Sequence, residues 1–231
     1  MTNVEILTNF ETEVGVIDKT LEKPLTDTSL YWLNQAVSKF CKLRFNGDFV
    51  HKTGFEETEK RREDLIHLFK QKVYNSSNMV KYNDQPSYDS YSVKYPEDFM
   101  YVLNEDVIIS DIDDNYKINT YVFECTRDSF MNRVNNSLTD FHYKHHKARP
   151  LRIRYNDGCE LLTDKNYKIQ TYTLGYLKTP QLISLEAPFT EYYDFDDNVM
   201  YEIIKMAAQM YLENTSSERY KTISAEVDTQ E

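Results

Sequence analysis

Three of the five histidines, His142, His145 and His146, stand at i, i+3 and i+4 within "FHYKHHKARPLRIRYNDG". On a helix that spacing puts imidazoles on one face, where they can hold zinc. No carboxylate or cysteine neighbour completes a metalloprotease pattern, and Lys144 and Lys147 interleave with the imidazoles and repel a cation. The group therefore reads as the solvated basic end of a helix, its cations complementing the helix dipole, and no metal ligand is assigned. Two acidic groups invite a similar test. "DIDDN" (Asp111, Asp113, Asn115) and "DFDDN" (Asp194, Asp196, Asn198) open like calcium loops. Their sixth positions are Tyr116 and Val199 instead of glycine, and their twelfth are Val122 and Lys205 instead of glutamate. They read as a turn and a helix cap. Asp98, Asp111 and Glu124 are the carboxylates a metal-dependent nuclease would use, but Glu124 is followed by Cys125 and Thr126, without the lysine such a site needs. The chain has no G-x-S-x-G, no P-loop and no G-x-G-x-x-G, and its five glycines leave little material for phosphate-cradling loops. The expectation is a protein with no catalytic residues, no cofactor and no bound metal.

The elements that position these residues follow from periodicity. Asp27 or Thr28 caps a helix carrying Leu30, Leu33, Val37 and Phe40 on one face. Asn46 and Gly47 make a turn. Thr53 and Glu56 have capping-box spacing, which predicts a second helix from about Gly54 to Val73 that buries Phe55, Leu65, Ile66 and Phe69. Residues 74–95 hold no sustained period and read as a long loop. "YPEDFMYVL" reads as a helix with Pro96 in its first turn, "VIIS" and "NTYVFECT" as strands, and Phe130, Val134 and Leu138 as one helical face running toward the histidines. Pro150 stops that helix. "LRIRY" alternates apolar and basic residues as a strand does, and "YKIQTYTLGYLKTPQLISL" supplies at least two more, broken at Gly175 and Pro180. Asp194, Asp196 and Asp197 start the clearest helix, striped by Met200, Ile203, Ile204, Ala207, Met210 and Tyr211.

Composition sets outer bounds. At 231 residues the chain can bury a core as one domain. Cys41, Cys125 and Cys159 are odd in number and widely separated, so they read as buried thiols of a reducing compartment and not as a disulfide framework. No basic, then apolar, leader and no long apolar run is present, so neither secretion nor membrane spanning is expected. A net charge of −11 argues against whole-surface binding of phosphate backbones.

The order of "YPEDFMYVLNEDV", a strand and helix, "HKARPLRIRYND", "LGYLKTPQLISL" and an acid-started helix ending "AAQMYLEN" resembles the head-to-tail connector proteins of tailed bacteriophages, nearest the neck ring proteins of crAss-like phages. The likeness covers about residues 95–214. It implies an α+β fold: a single connector domain over residues 1–214, made of a helical bundle with an inserted antiparallel β-module at about 150–190 and a C-terminal amphipathic helix. A docking tail over residues 215–231 follows. It also implies a structural virion protein, assembled in the host cytoplasm, whose homo-oligomeric ring of about twelve subunits lies between portal and tail and continues the DNA channel. The implied partners are the portal protein and other neck or tail proteins. DNA passes through without specific binding, and no membrane is involved. Within that picture Lys147, Arg149, Arg152 and Arg154 are expected to meet acidic faces of neighbouring subunits. Tyr220, Ile223 and Val227, spaced three and four apart, are expected to dock the tail on the portal or a neighbouring subunit. A metal-dependent cytosolic enzyme and a structural protein elsewhere in the particle are the alternatives.

Overall fold

In a computed structural model, the structure describes residues 1–17, 19, 22–46, 59–82 and 86–215. They form two compact units, Met1–Leu68 with Pro180–Glu231, and Phe69–Thr179. The chain thus leaves the first unit, builds the second and returns, giving an α+β fold with an inserted β-rich unit.

The first unit is a helical bundle. Helix α1 (Asn3–Ile17) buries Ile6, Leu7, Phe10 and Val14, and α2 (Thr26–Asn46) buries Leu33, Ala36, Val37 and Phe40. Helix α5 (Asp197–Asn214) packs on both and so is buried on more than one face, with Met206, Ala208 and Leu212 inside as well as Met200, Ile203, Ile204 and Ala207 of the expected stripe, while Met210 and Tyr211 are half-buried. Each fully buried Ile, Leu or Phe contributes about 1.5–3 kcal/mol. Phe10 meets Tyr211 edge-on at 6.2 Å, and Phe40 meets Phe195 at 5.9 Å. Arg44, buried at the end of α2, pairs with Asp64 at 2.9 Å and Glu202 at 2.8 Å, which ties α2 to α5 and to the short helix α3 (Glu59–Asp64). The sequence reading did not find α1, although Ile6, Phe10 and Val14 recur every fourth residue. The expected second helix is cut short. Its start near Gly54 lies outside the described residues; among the described ones α3 is its only α-helical part, and the chain is already a strand at Phe69.

The second unit holds nine strands in two sheets among its described residues. One is ordered β1-β9-β4-β5, from β1 (Phe69–Asn75), β9 (Tyr167–Lys178), β4 (Phe99–Asp111) and β5 (Lys117–Tyr121). The other is ordered β2-β3-β8-β7-β6, from β2 (Val80–Tyr82), β3 (Asp89–Lys94), β8 (Gly158–Thr163), β7 (Leu151–Arg154) and β6 (Phe123–Cys125). Pairing is antiparallel except between β6 and β7. The sheets enclose one core: Tyr91 and Val93 of β3 and Leu161 of β8 meet Val107 and Ile109 of β4 and Ile169, Tyr172 and Leu174 of β9. The outer face of the five-stranded sheet is covered too, where Leu151, Ile153 and Leu162 pack under Val134 of helix α4 (Phe130–Asn135) and Phe141.

Three expectations are corrected. Residues 74–95 are not one loop, since they end β1 and supply β2 and β3. "YPEDFMYVL" is the start of β4 and not a helix, because its register with β9 runs from Phe99 opposite Lys178 to Asp111 opposite Tyr167. Strand β9 continues through Gly175, where a side chain would strike Asn104 across the ladder at a bulge of β4.

Candidate interaction surface

The basic stretch is a closed loop and not a helix end. Helix α4 finishes at Asn135, and Leu138, expected on its buried face, is 86% exposed. Lys144 and Lys147 exchange backbone hydrogen bonds of 3.0 and 2.9 Å, so His145 and His146 are the two tip residues of a tight turn, with φ of 49° and 60°. Left-handed backbone at both tip positions is the geometry of a type I′ turn, which glycine or asparagine adopts with less strain. The His146 ring offsets part of that cost by packing 4.0 Å from Tyr116, and its Nδ1 lies 3.3 Å from the Tyr143 hydroxyl. The three histidines therefore share no face: two turn the chain, and His142 sits 3.7 Å from the buried carboxylate of Asp164. Asp164 is itself engaged by the backbone N–H groups of Tyr143 (2.7 Å) and Asn166 (2.9 Å).

The rest of the loop closes on itself. The Lys144 ammonium donates to the Ser137 carbonyl, and the Arg149 N–H donates to the Asp140 carbonyl at 2.7 Å. This holds the loop beside β5, the edge strand of the four-stranded sheet, and leaves a groove of about 460 Å³ between them. Ile118, Asn119 and Thr120 of β5 form one wall, and Leu138, Lys147 and Arg149 form part of the other. His142 also lines it, with a buried Nε2 that has no hydrogen-bond partner. Sequence reasoning missed the groove. Its only trace in the sequence is the density of cations, because the second wall comes from a strand some 20 residues earlier.

The four expected interface cations separate. Lys147, Arg149 and Arg154 are exposed, Arg149 lying 3.7 Å from Asp140 and Arg154 standing over the Phe99 ring at 5.4 Å. Arg152 is 4% exposed and is held inside the chain by Glu105 and Glu124, each at 2.8 Å. Leu151 and Ile153 take the face that α4 and Phe141 cover, so alternation in "LRIR" turns Arg152 to the opposite face, toward Glu105 of β4, and not to water. Glu105 also accepts from the Tyr172 hydroxyl at 2.5 Å. Burial pushes the Glu105 carboxyl above the usual carboxylate range, with Arg152 pulling the other way.

The carboxylates weighed for metal chemistry do not converge. Asp98 precedes β4 and Asp111 ends it, so the strand's rise of about 3.3 Å per residue sets them on the order of 40 Å apart. Asp98 binds the Lys70 ammonium at 2.6 Å and the Tyr176 hydroxyl at 3.0 Å, and the Lys70 hydrogen bond holds its pKa low. Asp111 accepts from the N–H groups of Asn115 and Tyr116 in a hairpin turn. Asp194 accepts from the Gln181 N–H at 2.6 Å, and Asp196, at the N-cap of α5, pairs with His67 at 3.1 Å. Tyr220, Ile223 and Val227 lie outside the described residues. Among the described residues no helix is long and apolar enough to cross a membrane.

The family model for phage tail ring protein 3/4 matches residues 2–191. No curated protein matches the chain.

Proposed function

The chain belongs to the phage tail ring protein 3/4 family, and from that premise we propose that its copies close into a ring between portal and tail that continues the DNA channel. It is a structural tail or neck ring protein of crAss-like phages, and its place is the virion. The match over residues 2–191 carries this reading, since it takes in the whole β-rich unit and helices α1, α2 and α3 of the first unit. In the proposal the ring has about twelve copies, works without catalysis, and binds the portal and other neck or tail proteins. Assembly takes place in the host cytoplasm. Residues 215–231 reach the portal or a neighbouring subunit through Tyr220, Ile223 and Val227. The exposed cations Lys147, Arg149 and Arg154 face acidic surfaces of adjacent copies, and Arg152 is left to its work inside the β-unit.

Charge supports the conduit. Cations clustered along a lumen would bind the phosphate backbone and release counterions, which would retain DNA that has to slide. A chain at −11 that gathers cations at a subunit contact leaves its remaining surface repulsive to DNA. Reconstruction of the particle tests the proposal. A closed ring of this chain next to the portal is the expected result, and its location on a tail fibre or the capsid surface would overturn it.

A further inference from the structure

An acidic and apolar counterpart to the basic groove stands on the helical unit. Between β9 and α5 the chain has no regular structure, yet its backbone is pinned. The N–H groups of Val4 and Asn3 donate to the carbonyls of Pro188 (3.1 Å) and Thr190 (3.3 Å), and the Asn3 side-chain amide donates to those of Ser184 (3.0 Å) and Ala187 (3.3 Å). The Tyr192 N–H donates to the Met1 carbonyl at 2.9 Å. Ile183, Tyr192 and Phe195 turn inward, as large apolar side chains of a fixed loop should. Phe189, Leu182 and Tyr193 do the opposite, at 82%, 77% and 71% exposure, and the exposed acids Glu186 and Glu191 flank Phe189. Three large apolar side chains held out by one ordered loop mark a surface that is covered in an assembly. The aromatic residues and the acidic rim suit a protein contact.

We propose that this loop seats in the groove beside β5 of the next copy, Phe189 against Leu138 and Ile118, with Glu186 and Glu191 opposite Lys147 and Arg149. The pairing rests on the ring reading above and names the acidic face that reading leaves open. Charge selects the occupant: at −11 most faces of two copies repel, and the groove wall is a local concentration of cations. Chemistry agrees, because Leu138 at 86% exposure and the half-buried Ile118 offer an apolar surface to Phe189. Topology agrees as well. Loop and groove are different surfaces on different units, so the contact is heterologous and propagates from copy to copy, as a ring requires. Both sides are held by their own hydrogen bonds before contact, which lowers the ordering cost of association.

Disulfide trapping with the full chain tests the pairing. Asn119→Cys places a thiol in the groove and Thr190→Cys places one beside Phe189, while the three native cysteines are buried. Mild oxidation of the doubly substituted chain, concentrated or assembled on portal, should give a ladder of covalent multimers. A mixture of the two single variants should stop at a heterodimer. Lys147→Glu with Arg149→Glu should reduce the ladder at least about tenfold, and adding Glu186→Lys with Glu191→Lys should restore it. A link confined within one chain, a closed two-copy product with nothing above it, or a ladder indifferent to the charge reversals would each overturn the pairing. So would absence of any link, and electron microscopy of the same sample then separates the two proposals. Rings without links leave the ring standing with another contact, and no rings on portal remove both.

Discussion

Arg152→Met removes the cation from the buried network of the β-unit. Arg152 is 4% exposed, and of its two partners Glu124 has a side chain 72% exposed whereas that of Glu105 is 10% exposed. Water solvates Glu124 once its partner is gone, so its share of the effect is small. Glu105 has no such recourse, and breaking a buried pair from one side costs about 3–5 kcal/mol. That is a large part of the roughly 5–15 kcal/mol by which domains are stable. The sign of the pH dependence follows from the same group. Burial already raises the Glu105 pKa in the folded state, and loss of Arg152 raises it further. A carboxyl with a raised pKa holds its proton more tightly folded than unfolded, so its penalty is absent below the ordinary carboxylate range and grows as pH rises through the folded pKa. Urea unfolding followed by near-ultraviolet circular dichroism of the tyrosine-rich core should show the full loss above pH 7 and a much smaller one near pH 4.5. Adding Glu105→Leu should recover most of it, less about 1–3 kcal/mol for the Tyr172 hydroxyl left without an acceptor. A loss below about 1 kcal/mol at neutral pH, or one that deepens on acidification, would refute the reasoning.

Replacing His142, His145 and His146 together by glutamine should leave bound-metal content unchanged by mass spectrometry of the purified protein; stoichiometric zinc in the parent that disappears in the triple variant would count against the turn-and-packing roles. Burial pushes the Cys41 thiol up to about 12 and the Cys159 thiol up to about 11, so both should resist a thiol reagent at pH 8 until denaturant is added, and prompt labelling of the native protein would show the core to be open. A chain ending at Asn214 should keep its melting temperature yet fail to join the portal, and Ile223→Asp should weaken joining without moving the melt; normal incorporation of the shortened chain into particles would put the docking surface elsewhere.

What was legible in the sequence had local causes. Helix α5 was found almost to the residue because its apolar positions recur at the helical period and its acids suit a helix start. β7 showed itself by alternation. Strand β4 misled, because Pro96 followed by closely spaced apolar residues also suits a helix, and the deciding partner, β9, lies more than sixty residues along the chain. The same partner converts Phe69–Asn75 into an edge strand, with Phe69 opposite Leu177. For the histidines, a spacing of three and four is helical only if the backbone is helical. The pairing of Lys144 with Lys147 makes it a turn instead. None of the four cations expected at an interface could be told from the others by type, and what separates Arg152 is the second cover on its sheet, which takes Leu151 and Ile153 and turns Arg152 toward Glu105, and which no local pattern records.

That second cover bears on how the molecule uses its charge. A sheet packed on one face would present Arg152 and Arg154 to a neighbour alike, and a contact built there would have to desolvate both guanidinium groups. With Leu151 and Ile153 packed under α4 and Phe141, Arg152 turns to the other face and is satisfied within the unit, and the cations left for contact are those of the 137–149 loop and Arg154. The loop holds its cations over an edge strand, where unpaired backbone groups invite another chain. Like-charged acids elsewhere oppose every approach except one that brings an acidic partner to that edge, so net charge and local charge act together: the first suppresses wrong contacts and the second admits the right one. In the proposed ring, the acidity of the chain would serve the specificity of assembly as well as the passage of DNA. Reversing Lys147 and Arg149 should therefore do more harm to assembly than to the folding of the subunit that carries them.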